Sequence, residues 1–223
     1  MTLEIIDEGY ADYGEMLSKQ RELFSMMVER KRQGIPIDRE FILLVEHNPV
    51  ITLGRHAKPE NILFREEELA LRGIEMHRIE RGGDVTYHGP GQLVAYPILN
   101  LEAHKMGVRD YVEMLEEAVI RTLSEFGLKG ERVAGASGVW IDAGTERERK
   151  ICALGVKCSR YITMHGLALN VNTDLNGFRM INPCGFLDKG VTSMAAELHK
   201  EVDINLVKNI IAKHFKNLLG YNQ

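Results

Sequence analysis

The stretches Lys150-Ile-Cys-Ala-Leu-Gly-Val-Lys157 and Ile162-Thr-Met-His-Gly-Leu-Ala-Leu-Asn170 decide the predicted fold of this chain. Both are short apolar runs of the kind that forms buried strands, and residues 138–142 form a similar run just before them. The polar residues 143–149 connect this run to the first stretch and are typical of a solvated hairpin connection. The sequence therefore predicts three strands in this region.

Alternation along the first of these strands predicts which side chains share a face. It separates two sets: Lys150 with Cys152 and Leu154, and Ile151 with Ala153 and Gly155. Small residues recur at Gly166 and Ala168 in the next strand, which leaves the room against the sheet that a bound acyl chain needs. Ordinary strand packing explains the same small residues, so both interpretations stay open.

The rest of the chain changes between helix and strand signals without a regular order. The pattern predicts helices at 11–32, 66–71, 111–126, 191–198 and 203–218, and strands at 41–47, 50–53, 74–79 and 93–101. Pro97 indicates an edge or bulged strand, and Asp203 is a helix cap. Because strict β-α-β alternation is missing, we predict an α+β fold: a mixed, largely antiparallel sheet with flanking helices. We expect one domain over residues 1–223.

Composition narrows the class of protein. The chain has 223 residues, of which 44% are hydrophobic and 27% charged, and its net charge is −4. That balance argues against nucleic acid as a partner. The apolar runs are far shorter than the ~20 residues of a membrane span, and the N-terminus lacks signal-peptide features, so we expect a cytoplasmic protein with no membrane partner. The 3 cysteines include no C-x-x-C pair, which favours free thiols over disulfides or a zinc site.

The stretch Arg81-Gly-Gly-Asp-Val-Thr-Tyr-His-Gly-Pro-Gly-Gln92 is the most unusual in the chain. Its glycines allow backbone N–H groups to approach a ligand closely, and polar side chains surround them. It matches neither the phosphate-binding P-loop nor the dinucleotide-binding fingerprint. The stretch therefore indicates a nearby ligand, with a tight hairpin of exposed polar groups as the alternative.

Cys184 is the candidate for a nucleophilic thiol. The proline and glycine on either side of it prevent regular structure, whereas the other two cysteines have apolar, strand-like neighbours. A reactive thiolate needs a nearby cation or histidine, and Lys150, His88 and His165 are available for that role. The dispersed histidines predict no metal site, and no serine-hydrolase motif is present.

Four segments, taken in order, resemble the lipoyl(octanoyl) transferase family, the octanoyl-[acyl-carrier-protein]:protein N-octanoyltransferases. They are residues 81–92, Lys150-Ile-Cys-Ala-Leu-Gly155, His165-Gly-Leu-Ala-Leu-Asn170 and Asn182-Pro-Cys-Gly185. The resemblance covers the chain from about residue 41 to about residue 198. It implies the catalytic core shared with biotin and lipoate protein ligases, and an acyl transfer that needs no cofactor.

The resemblance also implies roles for residues at matching positions. Cys184 would take the octanoyl group from octanoyl-acyl carrier protein, and Lys150 would favour the thiolate and receive a proton from the incoming amine. The implied acceptors are lysines on the lipoyl domains of 2-oxoacid dehydrogenase E2 subunits and on the glycine cleavage H protein. The residues implied to surround the acyl chain are Arg81, Gly82, Gly83, Asp84, Val85, Thr86, Tyr87, His88, Ala153, Leu154, Gly155, His165, Gly166, Leu167 and Ala168.

Two alternative functions stay open. An ATP-dependent lipoate–protein ligase would share the fold, and its lysine would help to bind an adenylate. The run His88-Gly-Pro-Gly91 departs from the His-Asp pattern expected of such ligases. A non-catalytic binder of acyl carrier or lipoyl domains would keep the pocket without turnover.

Overall fold

The computed structural model describes residues 1–182 and 190–221. Within these ranges the strands are β1 (Thr2–Ala11), β2 (Arg39–His47), β3 (Val50–Leu53), β4 (Glu75–Arg78), β5 (Val85–His88), β6 (Gln92–Ile98), β7 (Glu131–Val133), β8 (Ala136–Ile141), β9 (Arg149–Ser159), β10 (Ile162–Asn170) and β11 (Gly190–Val191). The α-helices are α1 (Tyr13–Arg32), α2 (Glu66–Leu71), α3 (Val108–Glu125), α4 (Met194–Leu198) and α5 (Ile204–Leu218), with 3₁₀ turns at Pro59–Asn61 and Leu175–Met180. None of these helices combines the length and the apolar character of a membrane span.

Most strands form one main sheet, in the order β1-β2-β6-β10-β9-β8-β7, with β11 beside β9. The pairs β1–β2 and β9–β11 are parallel, and the other pairs of this sheet are antiparallel. A second, small sheet has the order β4-β3-β5. The predicted α+β fold with a mixed, largely antiparallel sheet is confirmed.

Different elements cover the two faces of the main sheet. Helices α3 and α5 pack on one face through buried residues such as Tyr111, Leu115 and Phe215. Helix α1 packs on the opposite face, where Tyr13 and Phe24 are buried. Each large apolar side chain contributes ~1.5–3 kcal/mol when it is fully buried, so the sheet is held mainly by these two apolar layers. The small sheet and α2 form a third apolar cluster on the α1 side.

An aspartate caps one helix on each face, α1 on one and α5 on the other. The Asp12 carboxylate accepts a hydrogen bond from Glu15 N at 3.1 Å at the start of α1. The Asp203 carboxylate accepts from Asn205 N at 2.9 Å at the start of α5, which confirms the predicted cap. Such caps stabilise a helix by about 1 kcal/mol because they satisfy N–H groups that have no partner within the helix.

Pro97 corrects one prediction about the sheet. Its strand, β6, lies between β2 and β10 with a regular register, so it is neither an edge strand nor a bulged one. The β6–β10 pairs end at Ala95 and Leu167, and the N–H that proline lacks falls outside that ladder. The Thr163 hydroxyl instead donates to Pro97 O at 2.8 Å and accepts from Leu99 N at 2.9 Å. A side chain thus connects β10 to the proline segment.

The edge strand β1 lies outside the predicted strands. Its register with β2 shifts between Asp7 and Tyr10, where Gly9 has a φ of +64°. This irregularity breaks the alternation of buried and exposed residues that identifies a strand from sequence.

Candidate active site

A cleft between the main sheet and the small sheet brings most of the predicted site residues together. Its empty volume, including the part open to solvent, is about 890 Å³. Strands β9 and β10 form its floor, and residues 79–88 form the opposite wall. The predicted residues that line it are Lys150, Arg81, Gly83, Asp84, Val85, Thr86, His88, Ala153, Leu154, Gly155, His165, Gly166, Leu167 and Ala168.

Among the predicted residues that the structure describes, Gly82 and Tyr87 are the two that do not line the cleft. Gly82 N donates to Val156 O at 3.0 Å, which attaches the wall to strand β9. The Tyr87 ring packs edge-on against Phe178, with the ring centroids 5.6 Å apart, and lies in the small apolar cluster. Gly82 and Tyr87 therefore hold the wall of the cleft in place.

Lys150 lies in the cleft because β9 carries one more residue than β8 where the two strands pair. Val139 pairs with Cys152, whereas the next residue, Trp140, pairs with Lys150, so Ile151 is the extra residue of a β-bulge. Ile151 and Cys152 both pack in the core on the helical side of the sheet. Strict alternation, which places Lys150 on the face of Cys152, is therefore wrong at this position.

Among the described residues, the Lys150 amine has partners on two sides. Its Nζ donates to Ser137 O at 3.1 Å and lies 4.5 Å from the centroid of the Trp140 ring. At that distance a cation is attracted to the aromatic face. Both partners belong to β8, so the strand beside β9 fixes the position of the amine.

Cys184 lies outside the described residues. Before the segment that contains it, Asn182 N donates to Asn61 O at 2.8 Å. After that segment, Val191 pairs with Lys150 and lines the cleft. The described residues on either side of the segment are thus held, Asn182 at the 3₁₀ turn Pro59–Asn61 and Val191 beside Lys150.

The two described cysteines have the environment of structural residues. Both belong to the face of β9 that packs against the helices. Burial raises the pKa of the Cys152 thiol far above its ordinary range, and burial also raises the pKa of the Cys158 thiol. Neither thiol supplies much thiolate at neutral pH, which makes both poor nucleophiles.

Arg81 is built into the wall of the cleft. Its Nη2 donates to Thr52 O at 2.9 Å and to Thr52 Oγ1 at 3.0 Å, and its Nη1 donates to Gly82 O at 3.0 Å. A Cβ added to Gly155 would lie 2.8 Å from Arg81 Cδ. Gly155, which also lines the cleft, therefore makes room for the arginine.

A neighbouring backbone group likewise explains why position 166 is a glycine. A Cβ at this position would collide with Ala95 O of the neighbouring strand β6. The other two small residues, Ala153 and Ala168, pair across β9 and β10 and both line the cleft. These two alanines therefore leave space above the floor of the cleft because their side chains are short.

Asp84 joins the wall of the cleft to residues 58–61, which in turn bind Asn182. Its carboxylate accepts from Val85 N at 2.8 Å, from Lys58 N at 3.3 Å and from Asn61 Nδ2 at 2.5 Å. The carbonyl of Asn61 is the acceptor for Asn182 N. Asp84 thus orders two neighbouring segments while it also borders the cleft.

The histidines beside the cleft are neutral at physiological pH. The pKa values of His88 and His165 are both lowered to about 3, mainly by burial and in part by the positive Arg81 nearby. Burial also lowers the pKa of His47 to about 4. His165 has a left-handed φ of +63°, and neither of its ring nitrogens has a hydrogen-bond partner within residues 1–182 and 190–221. Of the three predicted partners for a thiolate, Lys150 is therefore the one that carries positive charge.

Several lining residues were not among the predicted ones. They are Tyr13, Ile79, Val94, Tyr96, Trp140, Phe178, Gly190 and Val191. Trp140 is the only tryptophan of the chain and falls in a predicted strand, which is a usable signal. The others come from distant segments that only the tertiary fold brings together.

The sequence matches a known class of catalytic domain. The family model for the lipoyl protein ligase A/B catalytic domain matches residues 12–216. Octanoyltransferase from Parabacteroides distasonis is 48% identical over 215 residues, 96% of this chain and 97% of that protein. Octanoyltransferase from Porphyromonas gingivalis is 53% identical over 215 residues, which are 96% of this chain and 44% of that longer protein. This chain belongs to the octanoyltransferase family, and it is an acyltransferase.

Solved structures show the same fold at low sequence identity. A bi-partite lipoate protein ligase from Thermoplasma acidophilum has a TM-score of 0.66 at 18% identity, covering 98% of this chain and 83% of that one. A biotin protein ligase from Aquifex aeolicus has a TM-score of 0.53 at 14% identity, covering 99% of this chain and 71% of that one. The fold shared with biotin and lipoate protein ligases is thus confirmed.

The buried histidines predict how stability depends on pH. In the unfolded chain a histidine binds its proton near pH ~6.5, whereas His47, His88 and His165 stay neutral in the fold down to pH about 4 or about 3. Between these values the unfolded state binds more protons, so each histidine lowers the free energy of unfolding by up to ~1.4 kcal/mol per pH unit as the pH falls. Urea denaturation over this range measures the slope.

Two matched substitutions test whether a histidine of the cleft contributes to this dependence of the free energy of unfolding on pH. His165→Gln should make the slope shallower, whereas His199→Gln, at an exposed position, should leave it unchanged. Equal slopes in His165→Gln and in the parent chain would contradict a buried, neutral His165.

Proposed function

We propose that this chain transfers an octanoyl group from octanoyl-acyl carrier protein to a lysine of a lipoyl-accepting domain, through a thioester on Cys184. The observation that carries the proposal is the position of Lys150. This lysine is turned into the cleft by the bulge in β9, and its backbone pairs with the strand at which the Cys184 segment ends. Membership of the octanoyltransferase family supports octanoyl as the transferred group and acyl transfer as the type of reaction.

In the first step, the Cys184 thiolate attacks the carbonyl carbon of the octanoyl thioester. A C–S bond to Cys184 forms and the C–S bond to the carrier breaks, so one thioester replaces another. The Lys150 ammonium favours the attacking thiolate and then gives a proton to the sulfur of the departing carrier. His88 and His165 are unsuited to this role because burial keeps them neutral, with pKa values of about 3.

In the second step, the acceptor amine attacks the octanoyl-Cys184 carbonyl. A C–N bond forms, the C–S bond to Cys184 breaks, and the proton lost by the amine passes to the now neutral Lys150. The step ends with a Cys184 thiolate beside a Lys150 ammonium, which is the pair that began the cycle. Every proton is therefore accounted for within the two residues and the two substrates.

The octanoyl chain fits the apolar part of the cleft. Ala153 and Ala168 line its floor, while Ile79 and Val94 add aliphatic surface at other points of the lining. Burial of each methylene group contributes ~0.8 kcal/mol, so an eight-carbon chain gains several kcal/mol from such a surface. This gain favours a donor with a long apolar acyl chain over a donor with a short or polar one.

The donor supplies the driving force for the reaction. A thioester is an activated acyl group, so its transfer to an amine needs no nucleotide and no other cofactor. The acceptors that we propose are the lipoyl domains of 2-oxoacid dehydrogenase E2 subunits and the glycine cleavage H protein. We further propose that residues 1–223 act as a single catalytic domain.

Incubation with octanoyl-acyl carrier protein in the absence of ATP tests the proposal. Intact-mass spectrometry should show one octanoyl group on the enzyme. Peptide mapping should place it on Cys184, because Cys152 is buried and Cys158 is partly buried on the helical side of β9, and burial raises the pKa of both thiols. Addition of a lipoyl domain should then discharge the adduct.

Three outcomes would contradict that expectation in different ways. An adduct on Cys152 or Cys158 that survives Cys184→Ser would refute Cys184 as the nucleophile. Transfer that requires ATP would indicate a ligase, and binding of the carrier without any transfer would indicate a non-catalytic binder.

Substitution of Lys150 should separate the two steps. Lys150→Arg keeps a positive charge but does not readily exchange a proton, so we expect it to retain more enzyme acylation than transfer to the lipoyl domain. Lys150→Ala should lose about a hundredfold or more in transfer, which is the range for a general acid–base group. Single-turnover kinetics with each substrate measures the two rates.

Lys157→Ala is the matched control because Lys157 lies on the same strand, with its Nζ over the Phe24 ring. It should keep the parent rates. Thermal melts check that all three variants fold. Transfer by folded Lys150→Ala at the parent rate would show that Lys150 takes no part in the chemistry.

A further inference from the structure

Glu116 is a buried carboxylate that the proposed mechanism does not use. It lies on α3 and is 6% exposed. Its Oε1 accepts from Gly138 N at 3.0 Å, and its Oε2 accepts from Arg132 Nε at 3.1 Å. Helix α3 packs on the face of the main sheet opposite the cleft, so Glu116 contacts strand β8 from behind.

Gly138 is the point at which this strand touches Lys150. Its φ is +128°, a conformation that other residues rarely adopt. A Cβ at this position would lie 2.5 Å from Cys152 O and 3.2 Å from Lys150 Cε. The backbone of β8 therefore runs directly against the stem of the lysine, with no room for a side chain between them.

A single peptide group connects Glu116 to the Lys150 amine. The carbonyl of Ser137 accepts from Lys150 Nζ at 3.1 Å, and the N–H of the same peptide group is the Gly138 N–H that Glu116 binds. A peptide group is planar and rigid, so fixing its N–H also fixes the direction of its C=O. A charged acceptor on the N–H further polarises the carbonyl, which strengthens its bond to Lys150.

We propose that Glu116 is a positioning residue that holds Lys150 in its reactive place through the Ser137–Gly138 peptide group. The inference rests on the proposed function, in which Lys150 is the acid–base group. Glu116 aims the carbonyl at the amine from one side, and the Trp140 ring covers the other. Without the carboxylate, the peptide group loses its fixed orientation while Lys150 keeps its own side chain and charge.

Two double variants test this role with Arg132 removed from both. Glu116→Gln/Arg132→Leu keeps an amide oxygen that accepts from Gly138 N, whereas Glu116→Leu/Arg132→Leu has no acceptor. We expect the kcat of transfer to fall at least about tenfold in the second variant and to stay within about threefold of the parent in the first, because small displacements of reacting groups cost large factors in rate. The KM for octanoyl-acyl carrier protein should change little in either.

Trp140 provides an independent readout because it is the only tryptophan of the chain and lies 4.5 Å from Lys150 Nζ. Loss of the ammonium from the ring face changes the emission of the indole. Lys150→Met defines that change, and we expect the double-leucine variant to reproduce part of it and the glutamine variant to reproduce none. If the double-leucine variant does not fold, Glu116→Ala/Arg132→Leu, which also removes the carboxylate that holds the peptide group, takes its place.

Glu117→Leu is the matched control. Its carboxylate also binds Arg132, at 2.8 Å, but it contacts neither Ser137 nor Gly138. We expect parent kcat and parent emission from this variant. A loss of activity there equal to that in the double-leucine variant would reduce Glu116 to a general structural residue and overturn the proposal.

The result for Lys150 itself separates the two levels of inference. If Lys150→Ala transfers octanoyl groups at the parent rate, the proposed function fails. If Lys150 is required but the folded double-leucine variant keeps the parent kcat and emission, only the positioning role of Glu116 is overturned.

Discussion

The extra residue in β9 is the constraint on which the site depends. If the strand alternated regularly, Lys150 would point into the apolar core under α3 and α5, where an unpaired ammonium costs several kcal/mol. The bulge instead puts Ile151 into that core and turns Lys150 towards the cleft. The same local change therefore stabilises the helical side of the sheet and supplies a cation to the other side. A β-bulge is a common way to redirect a side chain at an active site.

The elements around this lysine hold it from three directions. Strand β8 supplies the Ser137 carbonyl and the Trp140 ring, and strand β11 pairs with the Lys150 backbone where the Cys184 segment ends. Helix α3 reaches the same point from behind the sheet through Glu116. The wall of the cleft is attached independently, through Gly82 on Val156. In the proposed function, the acid–base chemistry and the binding of the acyl chain therefore depend on different contacts.

The sequence predicted the parts of this account that depend on local pattern. The strands around 150–170 and the apolar stripes of the helices were identified by periodicity, and the motifs pointed to the residues that line the cleft. Features that depend on a partner strand were not predictable. The bulge at Ile151 is visible only from the pairing with β8. Pro97 fits a central strand because its position falls outside the β6–β10 ladder, where the Thr163 hydroxyl bonds the backbone instead. The missing side chain at Gly155 suggested room for an acyl chain. The structure shows that it makes room for the Arg81 side chain, a contact that the sequence could not reveal.

Thiol cross-linking tests the proposal that the Lys150 amine and the Cys184 thiol are neighbours. In a chain with Cys152 and Cys158 replaced by alanine, a short bifunctional thiol reagent should join Lys150→Cys to Cys184, because the reagent replaces the length of the lysine side chain that the substitution removes. Lys157→Cys, on the same strand, is the control and should not be joined to Cys184. Peptide mapping that finds the cross-link at position 157, or no cross-link at position 150 while both thiols react with alkylating reagent, would contradict the account.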